Sequence, residues 1–167
     1  IIGLLVQPLS IELIDGRGGY DILRVPDSGT RSLNLTGISL VSIELIQGGT
    51  GRDTIVGSAG DDVIRGGGGN DVIDGGPGRD TAVYLNESEN YVVVPGAPTS
   101  VRSLLGGEGT DLLTSIEVIS FLDGRFEGGV FHPTYPDNNA PVAVPDVATV
   151  PEDGSVEINL LANDYDP

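Results

Sequence analysis

Gly48-Gly49-Thr50-Gly51-Arg52-Asp53-Thr54-Ile55-Val56 opens a run that continues as GSAGDDVIR (57–65), GGGGNDVID (66–74) and GGPGRDTAV (75–83). These are four abutting nonapeptides. Position one is Gly48, Gly57, Gly66 and Gly75; position four is Gly51, Gly60, Gly69 and Gly78; position six is Asp53, Asp62, Asp71 and Asp80. Position eight is Ile55, Ile64, Ile73 and Ala82, so one small or aliphatic side chain per repeat is available for a narrow interior. A short fixed period of this kind marks stacked units, each too small to bury its own apolar face.

The unit can be built from its residues. Glycines at the front let the backbone turn tightly with its carbonyls exposed on one side. The next three residues, as in Thr54-Ile55-Val56, are β-formers long enough for one short strand. Turn plus strand makes half a coil, so two nonapeptides close one coil of 18 residues, and coils stack about 4.8 Å apart. Asp53 and Asp71 then share one edge, and Asp62 and Asp80 share the opposite edge. Carboxylates so close repel unless a cation lies between them. Two carboxylates with about four turn carbonyls make the all-oxygen shell that Ca²⁺ prefers over Zn²⁺ or copper.

The pattern Gly-Gly-x-Gly-x-Asp-x-aliphatic-x resembles the calcium-binding nonapeptide of the RTX (repeats-in-toxin, hemolysin-type) family. Two departures are visible: Ser58 stands for the second Gly, and Ala82 is a weak aliphatic in the last copy. The resemblance implies an all-β fold, a parallel β-roll over 48–83. It implies several Ca²⁺ ions held by Asp53, Asp62, Asp71 and Asp80 and by carbonyls of Gly48, Gly49, Thr50, Gly51, Gly57, Gly60, Gly66, Gly67, Gly68, Gly69, Gly75 and Gly78. It also implies export from a Gram-negative or related bacterium by a type I system to the extracellular side.

Composition agrees with a cation-recruiting chain. The 167 residues carry 25 Asp and Glu against eight Lys and Arg, for a net charge of −17. All eight cations are Arg, which excludes a P-loop lysine and a Schiff-base lysine. The acidity argues against nucleic acid and anionic membrane as partners. Cysteine is absent, which excludes disulfides and thiolate metal sites. The apolar run Ile1–Val6 lacks a preceding basic segment and is stopped by Pro8 and Glu12, so it reads as neither a signal peptide nor a membrane span. Beginning at Ile1 and containing no Met, the chain reads as an internal piece of something longer.

A larger repeat flanks the nonapeptides. Ser10-Ile11-Glu12-Leu13-Ile14 recurs as Ser42-Ile43-Glu44-Leu45-Ile46 and, more weakly, as Ser115-Ile116-Glu117-Val118-Ile119. The first copy leads into GRGGYDILR (16–24), a degenerate nonapeptide whose Asp21 is a further candidate ligand. The offset from Ser10 to Ser42 is not a multiple of 18, so residues 1–47 are expected to form wider coils with longer strands, Leu33–Leu35 and Leu40–Ile46. Glu12, Glu44 and Glu117 are expected to be solvated strand residues. Asp61 and Asp74 are expected to be outward-facing charges, and Asp15, Asp111 and Asp123 to be Asx-turn residues.

Residues 84–130 read as a β-rich cap over the last coil, where Tyr84, Tyr91, Phe121 and Phe126 supply a small core and cover an edge that would otherwise template aggregation. Residues 131–140 read as a Pro- and Asn-rich linker. Residues 141–167, with strands expected over 140–150 and 155–161, resemble the start of the cadherin-like sandwich repeats of giant bacterial adhesins. A sandwich needs about 100 residues, so this is a truncated start. In a complete repeat Asp164 and Asp166 could be interdomain Ca²⁺ ligands.

Catalytic alternatives have little support. The loose Gly-x-Gly-x-x-Gly spacings precede no helix pattern. His132, the one histidine, lies beside Pro133 and reads as exposed. Aspartates recurring every nine residues mark a lattice rather than the single acid pair of a glycosidase. Two classes remain. The first is a non-enzymatic, calcium-dependent structural module of a large secreted adhesin or surface protein, partnered by neighbouring domains of the same polypeptide and an unidentified adhesion target. The second is the secretion and folding appendage of an exported RTX hydrolase or toxin. An appendage usually ends the polypeptide soon after the cap, and this chain continues, which favours the first.

Overall fold

The computed structural model describes residues 11–25 and 29–134. Residues 135–140 of the expected linker, the expected adhesin-like start over 141–167, and Asp164 and Asp166 lie outside the described residues. Within them the chain is almost wholly β, and its parallel ladders grow by stacking coil on coil.

Six short strands open the fold: β1 (Leu13–Asp15), β2 (Ile22–Arg24), β3 (Arg31–Asn34), β4 (Ser39–Val41), β5 (Leu45–Gln47) and β6 (Asp53–Val56). β1 pairs in parallel with β4, β2 with β5 and β3 with β6, so this stretch has three strands per coil. The coils are wider than 18 residues, as expected. They gain that width from a third strand, and no strand is longer than four residues. The single strand expected over Leu40–Ile46 is instead β4 and β5, broken at Ser42, whose φ of 51° no extended strand permits.

From Gly48 the coil contracts to two strands. β7 (Val63–Arg65) and β9 (Thr81–Val83) extend the sheet of β5, while β8 (Val72–Asp74) extends that of β6. Ile55 stands opposite Ile73, and Ile64 opposite Ala82, each pair 18 residues apart. Each nonapeptide reverses the chain once, so successive strands alternate between two sheets and the third side receives none. Ile46, Ile55, Ile64, Ile73 and Ala82 are at most 1% exposed and fill the interior between the sheets.

Beyond β9 the ladders become antiparallel. β10 (Tyr91–Val94), β11 (Thr99–Ser103) and β12 (Thr110–Thr114) add to one sheet. β13 (Val118–Ser120), β14 (Gly124–Glu127) and β15 (Val130–Pro133) add to the other. β12 and β13 themselves pair in parallel with β8 and β9, so each is the last rung of its stack. Tyr84, Tyr91 and Phe121 pack with ring centroids 5.0–5.8 Å apart, a bulky plug where the coil interior ends. β15 runs through Pro133, which moves the end of this cap past the expected 130 and places the exposed His132 on a strand.

Candidate metal centre: two columns of buried carboxylates

The position-six aspartates end up inside the turns. Asp53, Asp62, Asp71 and Asp80 are each at most 5% exposed. Alternation explains this: position eight points inward, and position six, two residues earlier, points the same way at the strand's mouth.

Three of the four carboxylates, those of Asp53, Asp71 and Asp80, reach back one coil. The Asp53 amide donates to Asp71 Oδ1 at 2.8 Å, and the Asp62 amide to Asp80 Oδ1 at 2.8 Å. The expected edge pairs are therefore present. The second oxygen turns into its own loop: Gly49 N–H donates to Asp53 Oδ2 at 2.7 Å, and Ser58 N–H to Asp62 Oδ2 at 2.6 Å. Ser58, the departure from glycine, adds its Oγ to Asp62 Oδ1 at 3.2 Å. In the next coil Asp71 Oδ2 and Asp80 Oδ2 are buried and have no hydrogen-bond partner. An unpartnered buried carboxylate oxygen is costly, and a cation is one way to satisfy it.

Both columns are longer than the four tandem repeats. On one edge the Asp71 amide donates to Asp111 Oδ1 at 2.9 Å, and the Arg31 amide to Asp53 Oδ1 at 3.1 Å. On the other, Asp80 N–H donates to Glu117 Oε2 and Asp21 N–H to Glu44 Oε2, both at 2.7 Å. Glu44 and Glu117 thus serve as position-six acceptors, a role missed from sequence alone: Glu44 is half-buried rather than solvated, whereas Glu117, like Glu12, is exposed as expected. Asp111 is corrected likewise: it is 2% exposed and accepts from Tyr84 O–H at 2.9 Å as well. The missed signal was alignment, since each of these acids stands two residues before an inward aliphatic: Glu44 before Ile46, Asp111 before Leu113 and Glu117 before Ile119. Asp21 sits at the same rung position, and its Oδ2 is also buried without a partner. Asp61 is exposed and accepts from the Arg79 amide, Asp74 accepts locally from the Gly76 amide, and half-buried Asp123 accepts from both the amide and the hydroxyl of Ser88, 35 residues away.

The loop glycines let turns nest on one another. A Cβ on Gly67, whose φ is 102°, would collide with the Gly49 carbonyl oxygen; one on Gly48 would strike that of Gly66, and one on Gly57 that of Gly75. Gly69 lies likewise against the carbonyl of Gly51, and Gly78 against that of Gly60. Backbone oxygens of one turn are thus packed against the next, with carboxylates between.

Without a cation, burial raises the pKa of Asp62, Asp71 and Asp80, that of Asp71 to about 6 and, at the cap, that of Asp111 to about 7. In each case burial is the largest cause, and a neighbouring Asp adds to it. Among the described residues no three His, Cys, Asp or Glu side chains converge. A cation in these turns would have at most two carboxylates and would draw its remaining oxygens from the backbone. That all-oxygen set, with unpartnered buried Oδ2 atoms inside it, fits Ca²⁺.

Comparison with known proteins agrees with this chemistry. Residues 47–82 match the family model for the RTX calcium-binding nonapeptide repeat in four copies, so this stretch is an RTX repeat array and calcium is its ion. No curated protein matches the chain. Among solved structures it is similar to the extracellular lipase LipA from Serratia marcescens, at 17% identity and a TM-score of 0.29, over 53% of this chain and 19% of the lipase chain. The chain thus spans less than a fifth of the length of that protein.

Proposed function

We propose that the chain is a non-catalytic, calcium-rigidified module of a large secreted bacterial adhesin or surface protein, with ions bridging Asp53 to Asp71 and Asp62 to Asp80. The observation that carries the calcium sites is the pair of buried, unpartnered oxygens, Asp71 Oδ2 and Asp80 Oδ2, inside turns packed with backbone carbonyls. A bound ion supplies the positive charge that cancels carboxylate repulsion along each column. The chain's own part is to hold the carboxylates in register through the amide-to-carboxylate bonds, and to offer carbonyls of the Gly48–Asp53, Gly57–Asp62, Gly66–Asp71 and Gly75–Asp80 turns.

The export side of the reading follows from the charge and the core. A glycine-rich chain of net charge −17 has little to fold it where Ca²⁺ is scarce, so it can be threaded through a secretion channel. Outside the cell millimolar Ca²⁺ locks it, since extracellular modules bind at about 10⁻⁴–10⁻³ M. The absence of Cys suits this route, because no disulfide can close early. Among the described residues no helix is long and apolar enough to cross a membrane.

A crystal structure grown with calcium tests the assignment. Ions are expected about 2.3–2.6 Å from these carboxylates and from carbonyls of both facing turns. Ions elsewhere, with Asp71 and Asp80 turned outward, would sink it. Reading the parent frame on both sides tests the context: adhesive repeats are expected, and a catalytic domain in the same frame would make the module an exported hydrolase's appendage.

A further inference from the structure

We propose that residues 106–114 are a fifth nonapeptide, detached from the tandem four by a hairpin, and that its turn forms a further Ca²⁺ site with the Gly66–Asp71 turn, using Asp71 and Asp111 as carboxylate ligands. The inference rests on the calcium reading above and places a site partly outside the matched residues 47–82.

Gly106-Gly107-Glu108-Gly109-Thr110-Asp111-Leu112-Leu113-Thr114 has Gly at positions one, two and four, Asp at six and Leu at eight. It fits the repeat better than the copies bearing Ser58 or Ala82. Its strand takes the next rung: Leu112 and Leu113 stand opposite Val72 and Ile73, as those stand opposite Thr54 and Ile55. Leu113, 2% exposed, joins the interior cluster of Ile55 and Ile73. Gly109, with φ 71°, lies against the Gly69 carbonyl as Gly69 lies against that of Gly51. The 2.9 Å bond from Asp71 N–H to Asp111 Oδ1 repeats the 2.8 Å bond from Asp53 N–H to Asp71 Oδ1.

Beyond the repeat pattern, the pointer to a ligand is Asp71 Oδ2, which the Asp53–Asp71 site also uses and whose turn lies between the turns of 48–53 and 106–111. It belongs to a residue 1% exposed, has no partner, and lies in the turn that 106–111 covers. Gly69 N–H donates to the Gly107 carbonyl at 2.9 Å, and Thr110 N–H to Asn70 Oδ1 at 2.8 Å, which fixes that cover.

The fifth turn differs from the others in its first half. A Cβ on Gly106 or Gly107 would meet nothing within 4 Å, whereas Gly48 and Gly67 lie against carbonyls. Asp111 Oδ2 accepts from Tyr84 O–H rather than from the position-two amide that serves Asp53. An ion here must displace the phenol and draw in Gly106 and Gly107. This site therefore fills last, and filling it fastens the inserted hairpin, β10 and β11, to the roll.

Calorimetric titration of the full chain with CaCl₂ tests this. Wild type is expected to bind one more equivalent than Asp111→Asn, in which the amide oxygen still accepts from Asp71 N–H. Tyr84→Phe is expected to keep the wild-type count and to tighten the last-filled step on the order of tenfold, as loss of one carboxylate hydrogen bond would. An unchanged count in a folded Asp111→Asn overturns the proposal. If that variant fails to reach the wild-type dichroism at saturating calcium, Tyr84→Phe decides: a tighter last step supports the site and an unchanged one overturns it. Wild type that binds no calcium defeats the proposed function itself, whereas wild type that binds calcium independently of residue 111 defeats this inference alone.

Discussion

Asp53, Asp71 and Asp80 have separate tasks for their two oxygens: Oδ1 ties the coil to the preceding one, and Oδ2 faces the residue's own turn, whereas both oxygens of Asp62 accept from Ser58 in its own turn. Without calcium that arrangement favours the protonated acid, because burial raises Asp71 to about 6 and Asp111 to about 7. A folded-state pKa above the unfolded value of about 3.9 means that the folded form binds more protons in between. The resulting stabilisation is complete below the unfolded value and is lost as pH rises through 6 and then 7. Protein stripped of calcium by chelation and desalting before the pH is set is therefore expected to keep its β signal to higher temperature at pH 5 than at pH 8, as read by circular dichroism in calcium-free buffer. Asp71→Asn should flatten part of that slope, and a melting point that falls on acidification would contradict the assignment. Gly67 makes a second demand at this scale. With φ at 102° and the Gly49 carbonyl where a Cβ would go, Gly67→Ala should cost the calcium-loaded fold about 1–2 kcal/mol or more. Gly18→Ala, where a Cβ meets nothing within 4 Å, should be nearly silent in the same urea titration.

Two turn types occur, nonapeptide turns in both columns and Ser-Ile-Glu turns at 42–44 and 115–117 of one, and they differ in what they leave for an ion. The nonapeptide turn offers several carbonyls. The Ser-Ile-Glu turn is three residues shorter, keeps the carbonyl that meets position one of the preceding turn, as Ser42 does at Gly16 and Ser115 at Gly75, and lets the longer Glu side chain reach the rung amide. Both such turns have a positive φ at serine, 51° in each. Glu117→Ala strands the amide of fully buried Asp80 and should cost about 1–3 kcal/mol in calcium-saturated urea unfolding. Glu117→Gln, which retains an acceptor, should recover most of the loss, and equal effects of the two would refute the acceptor role. The nonapeptide strands, their inward aliphatics and the Asp53–Asp71 and Asp62–Asp80 pairings were legible because the period is fixed. The first coils were not, since their rungs are offset by 26, 23 and 22 residues at Leu13–Ser39, Ile22–Leu45 and Arg31–Asp53, and no constant repeat reveals the third strand. The acceptor roles of Glu44 and Glu117 were not legible because alternation alone puts a Glu next to an aliphatic on the solvent side. Only the amide one coil away makes it an acceptor. GGEGTDLLT was legible in principle, but the hairpin placed before it hides its phase.

For the molecule as a whole, the question is what keeps so thin a fold together. The roll places one position-eight side chain per nonapeptide in its interior, while its turn glycines lose more conformational freedom on ordering than any other residue. Net charge of −17 opposes compaction further, and the columns concentrate part of that charge where water cannot screen it. The cap is built differently: Tyr84, Tyr91, Val101, Leu113, Ile119 and Phe121 are all buried, and its acids Asp111 and Glu108 already have tyrosine hydroxyls as donors. Calcium dependence should therefore be unequal along the chain. In EGTA at neutral pH the amides of 48–83 are expected to exchange with deuterium at rates near those of an unfolded chain, while those of 110–127 retain measurable protection. Millimolar Ca²⁺ should bring the two regions to comparable protection and increase the β signal in circular dichroism, because ion binding then supplies folding free energy to the coils that lack it. An unchanged β-rich spectrum on chelation, with 48–83 as protected as before, would mean that the amide-to-carboxylate ladder suffices by itself and that calcium does not drive this fold.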